Sequence, residues 1–182
     1  IDLGSLFEPA GVVVAGASSH PGKFGFAVLH NIITCGYQGR VFATNRNGGN
    51  LLGIECLTSV AQVPAGQADL VYVCVPAAAV AQVLRDAASV GIRAAFIASS
   101  GFGEGHDGEG AAHGAELAAL ADELGMVIAG PNGQGLVSTP VSLCAQFVGP
   151  FPPAGGVSIV SQSGNLASGA MNYATASGVG VA

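Results

Sequence analysis

The residues best suited to chemistry lie in short polar loops that each follow an apolar run. The first is Gly16-Ala17-Ser18-Ser19-His20-Pro21-Gly22-Lys23-Phe24-Gly25, which opens a helical pattern. Backbone N–H groups at a helix start, the hydroxyls of Ser18 and Ser19, and the Lys23 ammonium together make a cradle for phosphate. The glycines at 16, 22 and 25 are spaced more widely than the dinucleotide fingerprint, and the loop lacks the lysine–serine/threonine ending of a Walker loop. It reads as the seat of a different phosphorylated ligand, with a tight structural strand-to-helix turn as the plain alternative.

The second loop, Thr44-Asn45-Arg46-Asn47, has no acidic residue where a nicotinamide site places one on the ribose hydroxyls. Arg46 favours a phosphate on the ribose and disfavours unphosphorylated NAD. Further along, Val75-Pro76 sets a proline at a helix start, and Ser99-Ser100-Gly101-Phe102 begins a long glycine-dense loop whose start could line a ligand. Gly130-Pro131-Asn132-Gly133-Gln134-Gly135 serves equally well as a structural turn or as a site through Asn132. Finally, Ser161-Gln162-Ser163-Gly164-Asn165 precedes a helix whose free N–H groups form an anion site needing no basic side chain. His20, His30, His106 and His113 are expected to be non-catalytic, and Cys35, Cys56, Cys74 and Cys144 to be reduced structural thiols.

These loops need rigid elements beneath them. Apolar runs at 12–15, 40–44, 70–75, 94–98 and 126–129 predict strands buried on both faces. Between them, helical spacing falls on Gly25, Val28, Leu29, Ile32; on Val80, Val83, Leu84, Ala87; and on Leu117, Leu120, Ala121, Leu124. Gly36, Gly91 and Gly125 follow these helices as left-handed caps. The alternation predicts an α/β fold, a doubly wound parallel sheet whose ligand crevice lies at the carboxyl ends of the strands. The Pro/Gly-rich stretch 149–156 marks a junction between domains at 1–148 and 149–182. The second unit predicts a strand at 157–160, a helix at 165–177, a Gly178 cap and the start of another strand, so the chain reads as a fragment of something longer.

Composition excludes several classes. The chain has 182 residues, 50% hydrophobic and 9% charged, which rules out a disordered, solvating polypeptide. Its net charge of −6 offers no basic patch for nucleic acid, so a bound anion must be held mainly by backbone. No apolar run suits a membrane span, and a soluble, cytoplasmic protein is expected. Glycine, at 29 residues, is about twice its ordinary usage, which the loops and caps partly account for.

Taken together, Leu6-Phe7-Glu8-Pro9, Val14-Ala15-Gly16-Ala17-Ser18, Pro21-Gly22-Lys23, Val73-Cys74-Val75-Pro76-Ala77, Ser99-Ser100-Gly101-Phe102, Gly130-Pro131-Asn132 and Ile159-Val160-Ser161-Gln162-Ser163-Gly164 resemble the CoA-binding α portion of the succinyl-CoA synthetase superfamily. Within it the resemblance is to NDP-forming acyl-CoA synthetases, such as ADP-forming acetyl-CoA synthetase, in family order across nearly the whole chain.

The resemblance implies a Rossmann-like CoA-binding domain followed by the first βαβ part of a flavodoxin-like ligase domain. It implies that the 3′-phospho-ADP end of CoA lies over Gly16, Ser18, Ser19, Gly22, Lys23, Phe24 and Gly25 and against Asn45 and Arg46. The pantetheine arm passes Val75, Pro76, Ser99, Ser100, Gly101 and Phe102, with Asn132 and Gly133 near the thioester. Ser161, Ser163, Gly164 and Asn165 start the helix that faces a phosphohistidine. That histidine lies beyond Ala182, so no catalytic residue and no metal site is expected in this segment. ATP or GTP and Mg are expected to bind elsewhere in a parent ligase, which joins a carboxylic acid to CoA with an ATP-grasp domain or subunit as partner and forms an oligomer. Two departures stand out: relatives commonly carry cysteine where this chain has Gly133, and Asn-Pro where it has Asn45-Arg46. A CoA-sensing or scaffolding module of a regulatory or acetyltransferase-fused protein is the competing function, and an NADP oxidoreductase a weaker one.

Overall fold

The computed structural model describes residues 3–104 and 108–182. After a short helix, α1 (Gly4–Phe7), come β1 (Gly11–Ala15), α2 (Phe24–Thr34), β2 (Arg40–Thr44), β3 (Asn50–Leu51) and β4 (Ile54–Leu57). The second half of the sheet follows as β5 (Leu70–Val73), α3 (Ala77–Ser89), β6 (Ala94–Ile97), α4 (Gly108–Leu124) and β7 (Val127–Ala129). The chain then forms β8 (Gly135–Ser138), β9 (Leu143–Gln146), β10 (Ala154–Val157) and α5 (Gly164–Ser177).

Seven strands make one sheet in the order β3-β4-β2-β1-β5-β6-β7. Every pairing is parallel except β3 with β4. β1, β5 and β6 are buried along their whole length, which explains why they read as unbroken apolar runs rather than alternating ones. Residues of alternate parity feed opposite cores. Val12, Val14, Leu70, Tyr72 and Phe96 pack with Val28, Leu29 and Ile32 of α2. Val13, Val71, Val73, Ala95 and Ile97 pack with Val80 and Leu84 of α3 and Leu117 and Leu120 of α4.

Strand order reverses at β1, since β2 lies on one side of it and β5 on the other. The crevice between the loops after β1 and β5 is therefore the topological switch point, where open α/β sheets take their ligands. The five expected strands are all present, and the glycines after α2, α3, α4 and α5 all have positive φ.

Three features depart from the sequence expectation. β3 and β4 extend the sheet at one edge, and β8 with β9 forms a separate antiparallel pair packed on α2. The strand expected at 157–160 instead runs over Ala154–Val157, and Val160 is 97% exposed. β10 meets the chain again at Val181, with Gly155 backed against Gly180 so closely that neither could carry a side chain. That close approach fixes which residues pair and leaves Val160 outside the pairing. Among the described residues, no helix is long and apolar enough to cross a membrane.

Candidate functional site

The loop after β1 is folded by its own polar residues. The N–H groups of Gly16 and Ala17 donate to the Thr44 carbonyl at 3.0 and 2.9 Å, joining the loop to the end of β2. The Ser18 hydroxyl accepts from the His20 N–H at 3.1 Å, and the His20 ring accepts at Nδ1 from the Gly22 N–H at 3.0 Å. His20 is thus a scaffold of the loop, a role that its type and position alone did not show. Gly25 lies directly over Gly16: a Cβ on Gly25 would stand 2.2 Å from the Gly16 carbonyl oxygen. Gly16 itself has φ +88° and lies against the Cys74 carbonyl. Both glycines therefore serve the close helix–sheet packing that was the plain reading of the loop, and in doing so they bring the start of α2 onto the strand ends.

That start is open. Lys23 precedes α2 and makes no side-chain cap, so the N–H groups of Phe24 and Gly25 sit in an uncapped first turn. Ser19, Gly22 and Lys23 are exposed beside it. Phe24 is 54% exposed and stacks one face on Phe147, ring centroids 4.0 Å apart. Phe147, which follows β9, was not expected here.

At the end of β2, the Asn45 side chain accepts from the Asn47 N–H at 2.7 Å and its carbonyl from Gly48 at 3.2 Å, making a tight turn. The turn raises Arg46 into solvent. Among the described residues the one ion pair is Arg85 with Glu123, so neither Lys23 nor Arg46 is neutralised by a carboxylate.

On the other side of the switch point, the Ser99 hydroxyl donates to the Val75 carbonyl, linking the ends of β5 and β6, while Pro76 stands exposed before α3. Ser100 is exposed. The N–H groups of Gly101 and Phe102 both donate to the Glu104 carboxylate, at 3.0 and 2.9 Å. Hydrogen bonds from its own N–H, then from Phe102 and Gly101, hold the Glu104 carboxyl below its ordinary value. The half-buried Phe102 ring packs against the core beside His113, whose Nδ1 is 3.1 Å from the Gly101 carbonyl. Sequence reasoning missed Glu104, although a carboxylate two residues beyond a Gly-Phe pair is the spacing such a loop clamp needs. His106 lies outside the described residues.

Asn132, at φ +54°, donates its N–H to the Ser99 carbonyl, and Gly133 donates to Ile97. Asn132 thus joins this turn to the loop after β6 through its backbone. A Cβ on Gly133 would collide with the ring of Phe96, which stacks on Tyr72 at 5.1 Å. The space a side chain at position 133 would need is filled from β6 instead. Cys74, nearby at the end of β5, has its thiol pushed up to about 12 by burial. Burial first, then neighbouring Cys35, does the same to Cys144, again to about 12. All four cysteines are free thiols.

α5 opens at Ser163, whose hydroxyl accepts from the Leu166 N–H at 3.4 Å, while the Ser161 hydroxyl accepts from the Ser163 N–H at 3.1 Å. Ser161 and Asn165 are exposed, and Gly164 is covered by the side chain of Gln134. Among the described residues no group of three or more His, Cys, Asp or Glu side chains could hold a metal ion.

Residues 11–139 match the family model described as a CoA binding domain. The chain is similar to the acetate–CoA ligase [ADP-forming] I subunit alpha of Pyrococcus furiosus, with 36% identity over the whole chain and 40% of that protein. It is also similar to acetate–CoA ligase [ADP-forming] II of Archaeoglobus fulgidus, with 34% identity over 90% of the chain and 24% of that protein. The chain therefore spans well under half the length of these relatives. Among solved structures it superposes on dinucleotide forming acetyl-coenzyme A synthetase 1 of Ca. Korarchaeum cryptofilum, in complex with phosphate and ADP, with a TM-score of 0.90 and 34% identity. That match covers 99% of this chain and 38% of the other.

Proposed function

The chain belongs to the CoA-binding domain family, and from that premise we propose that it is the CoA-holding segment of an NDP-forming acyl-CoA synthetase. The parent reaction joins a carboxylic acid, CoA and a nucleoside triphosphate into acyl-CoA, nucleoside diphosphate and phosphate, by way of an acyl phosphate. The CoA thiol attacks the acyl carbon and phosphate leaves. The phosphorylated histidine, the ATP-grasp region and the Mg-nucleotide belong to the rest of the enzyme, and this segment's task is to bind and orient CoA. Residues 1–148 form the CoA domain and 149–182 the opening of the ligase domain.

The observation that carries this reading is the pairing of an uncapped α2 start with two unneutralised cations, Lys23 and Arg46, across the β1–β2 edge of the switch point. CoA carries a diphosphate and a separate ribose 3′-phosphate. The diphosphate suits the N–H groups of Phe24 and Gly25 together with Lys23, each helix–anion contact contributing about 0.3–1 kcal/mol. The 3′-phosphate suits Arg46, lifted clear of the sheet by the Asn45 turn. Pantetheine then runs past Val75, Pro76, Ser99 and Ser100, with the Gly101–Phe102 corner held firm by Glu104, and brings the thiol toward Asn132 and Gly133. The capped start of α5, at Ser161, Ser163, Gly164 and Asn165, faces the phosphohistidine.

Titration calorimetry on this chain with CoA, dephospho-CoA and NADP tests the reading. CoA binds with one site per chain, dephospho-CoA binds at least tenfold more weakly, and Arg46→Gln removes most of that difference. A folded chain that gives no heat with CoA, or that prefers NADP, overturns it.

A further inference from the structure

Gln134 stands at a crossing that neither the loop nor the helix explains alone. Its carbonyl accepts from the buried Tyr72 hydroxyl at 3.0 Å and from the Phe147 N–H at 3.3 Å, so its backbone is fixed to β5 and to the end of β9. Two residues earlier, Asn132 donates to the Ser99 carbonyl, and the Ser99 hydroxyl in turn donates to Val75. Gln134 is therefore continuous, through backbone and hydrogen bonds, with the strand ends where the proposed pantetheine path runs.

Its side chain points the other way. Oε1 accepts from the Ser168 hydroxyl at 2.6 Å, and the amide lies over Gly164, the first residue of α5, so closely that a Cβ there would strike it. Gly164 and Ser168 are one turn apart on the same face of the helix. Other holds on α5 are few: Met171 and Ala174 are its buried residues, both in the second half. Among the described residues no other α5 side chain hydrogen-bonds to the part of the chain before residue 149. In the first half of the helix, where Ala167 and Ala170 are half-buried, this amide supplies the side-chain hydrogen bond to the sheet domain.

We propose that Gln134 is a positioning residue that ties the CoA edge of the sheet to the first turns of α5, so that filling the CoA site steadies the helix start at Ser163. The proposal rests on the CoA reading above. CoA bound along Val75 and Ser99 orders the loop that carries Gln134, and the Gln134–Ser168 bond passes that order to α5.

Hydrogen–deuterium exchange on the 182-residue chain, with and without saturating CoA, tests it, with calorimetry run on the same samples. In the unsubstituted chain CoA slows exchange at residues 164–170 by at least fivefold, as well as around α2. In Gln134→Leu, which keeps the bulk and loses the acceptor, CoA binds within about threefold of its original affinity and still protects α2, but exchange at 164–170 no longer responds. Ser168→Ala behaves the same way, and Ser168→Thr, which keeps the hydroxyl, restores the response. If Gln134→Leu does not fold, the Ser168 pair carries the test. The proposal is overturned if α5 responds to CoA equally in all variants, if it does not respond in the unsubstituted chain that binds CoA, or if Gln134→Leu chiefly weakens CoA binding. Absence of CoA binding by the unsubstituted chain is a different failure, that of the CoA reading itself.

Discussion

One chemical change, glycine to alanine within a helix, should act in opposite directions at two places in this chain. At Gly25, in the first turn of α2, the added Cβ would stand 2.2 Å from the Gly16 carbonyl oxygen and 3.1 Å from Ala17 Cα, all backbone atoms of the β1 loop. Relieving that contact means parting α2 from the loop by about 1 Å, and overpacking of this kind costs about 1–3 kcal/mol. The gain in helix propensity is at most about 1 kcal/mol and is smaller in a first turn. Gly25→Ala should therefore be destabilising by about 1–2 kcal/mol. At Gly169, within α5, nothing lies within 4 Å of the new Cβ and the position is exposed. Only the propensity term remains there, so Gly169→Ala should stabilise by about 0.5–1 kcal/mol. For a chain of this size each kcal/mol moves the midpoint by about 2–4 °C. Urea unfolding of both variants beside the unsubstituted chain reads the sign. CoA calorimetry reads the second consequence, because a displaced α2 start should weaken CoA at least tenfold, or about 1.4 kcal/mol, whereas Gly169→Ala leaves affinity unchanged. A Gly25→Ala chain as stable as its parent and with full CoA affinity would refute both the packing argument and the placing of the diphosphate at α2.

Gly133→Cys should destabilise the chain on its own, because the new side chain meets the Phe96 ring. Combined with Phe96→Leu it should recover part of the loss, with a coupling of about 1–3 kcal/mol in a double-mutant cycle; additive effects would mean that Phe96 does not set the glycine. Stability should also fall under alkaline conditions. Cys74 and Cys144 are held protonated by burial, each raised from 9.0 to about 12. Between those values the unfolded chain releases protons that the folded chain keeps, so the stability present below pH 9 is lost as pH rises toward 12. The two thiols together give a slope of at most about 2.7 kcal/mol per pH unit. Guanidinium midpoints at pH 8 and pH 10.5 measure it, and Cys74→Ala should remove part of the drop, the rest staying with Cys144 and with Cys56, Tyr37 and Tyr72, which burial also raises; a flat profile over that range contradicts the burial of these groups.

Much of the frame was legible in the residues. Unbroken runs such as Val12-Val13-Val14 and Leu70-Val71-Tyr72-Val73 are what strands covered on both faces require. The glycines after each helix marked the points of re-entry into the sheet. The loop at 16–25 declared itself because phosphate recognition by backbone needs glycine and a helix start in sequence, and all of these signals are local.

What stayed hidden depends on residues far apart in the chain. β3 is two residues long, and β4, β8 and β9 each carry a polar residue within four and so lack the unbroken apolar runs of β5 and β6; they exist because a neighbouring strand or helix receives them. Phe24 meets Phe147, Gly133 meets Phe96, and Gln134 meets Ser168. Each pair joins residues more than 30 positions apart, and no local pattern reports such a meeting. The sequence by itself determined the layered α/β frame and the loops rich enough in glycine to hold phosphates. Only the tertiary structure decided that the loop after β1 is joined to the end of β2 through the Thr44 carbonyl. It also decided that the aromatic from β6 excludes a side chain at Gly133 and that one amide fastens α5, because pairings at long range are set by sheet register and helix packing.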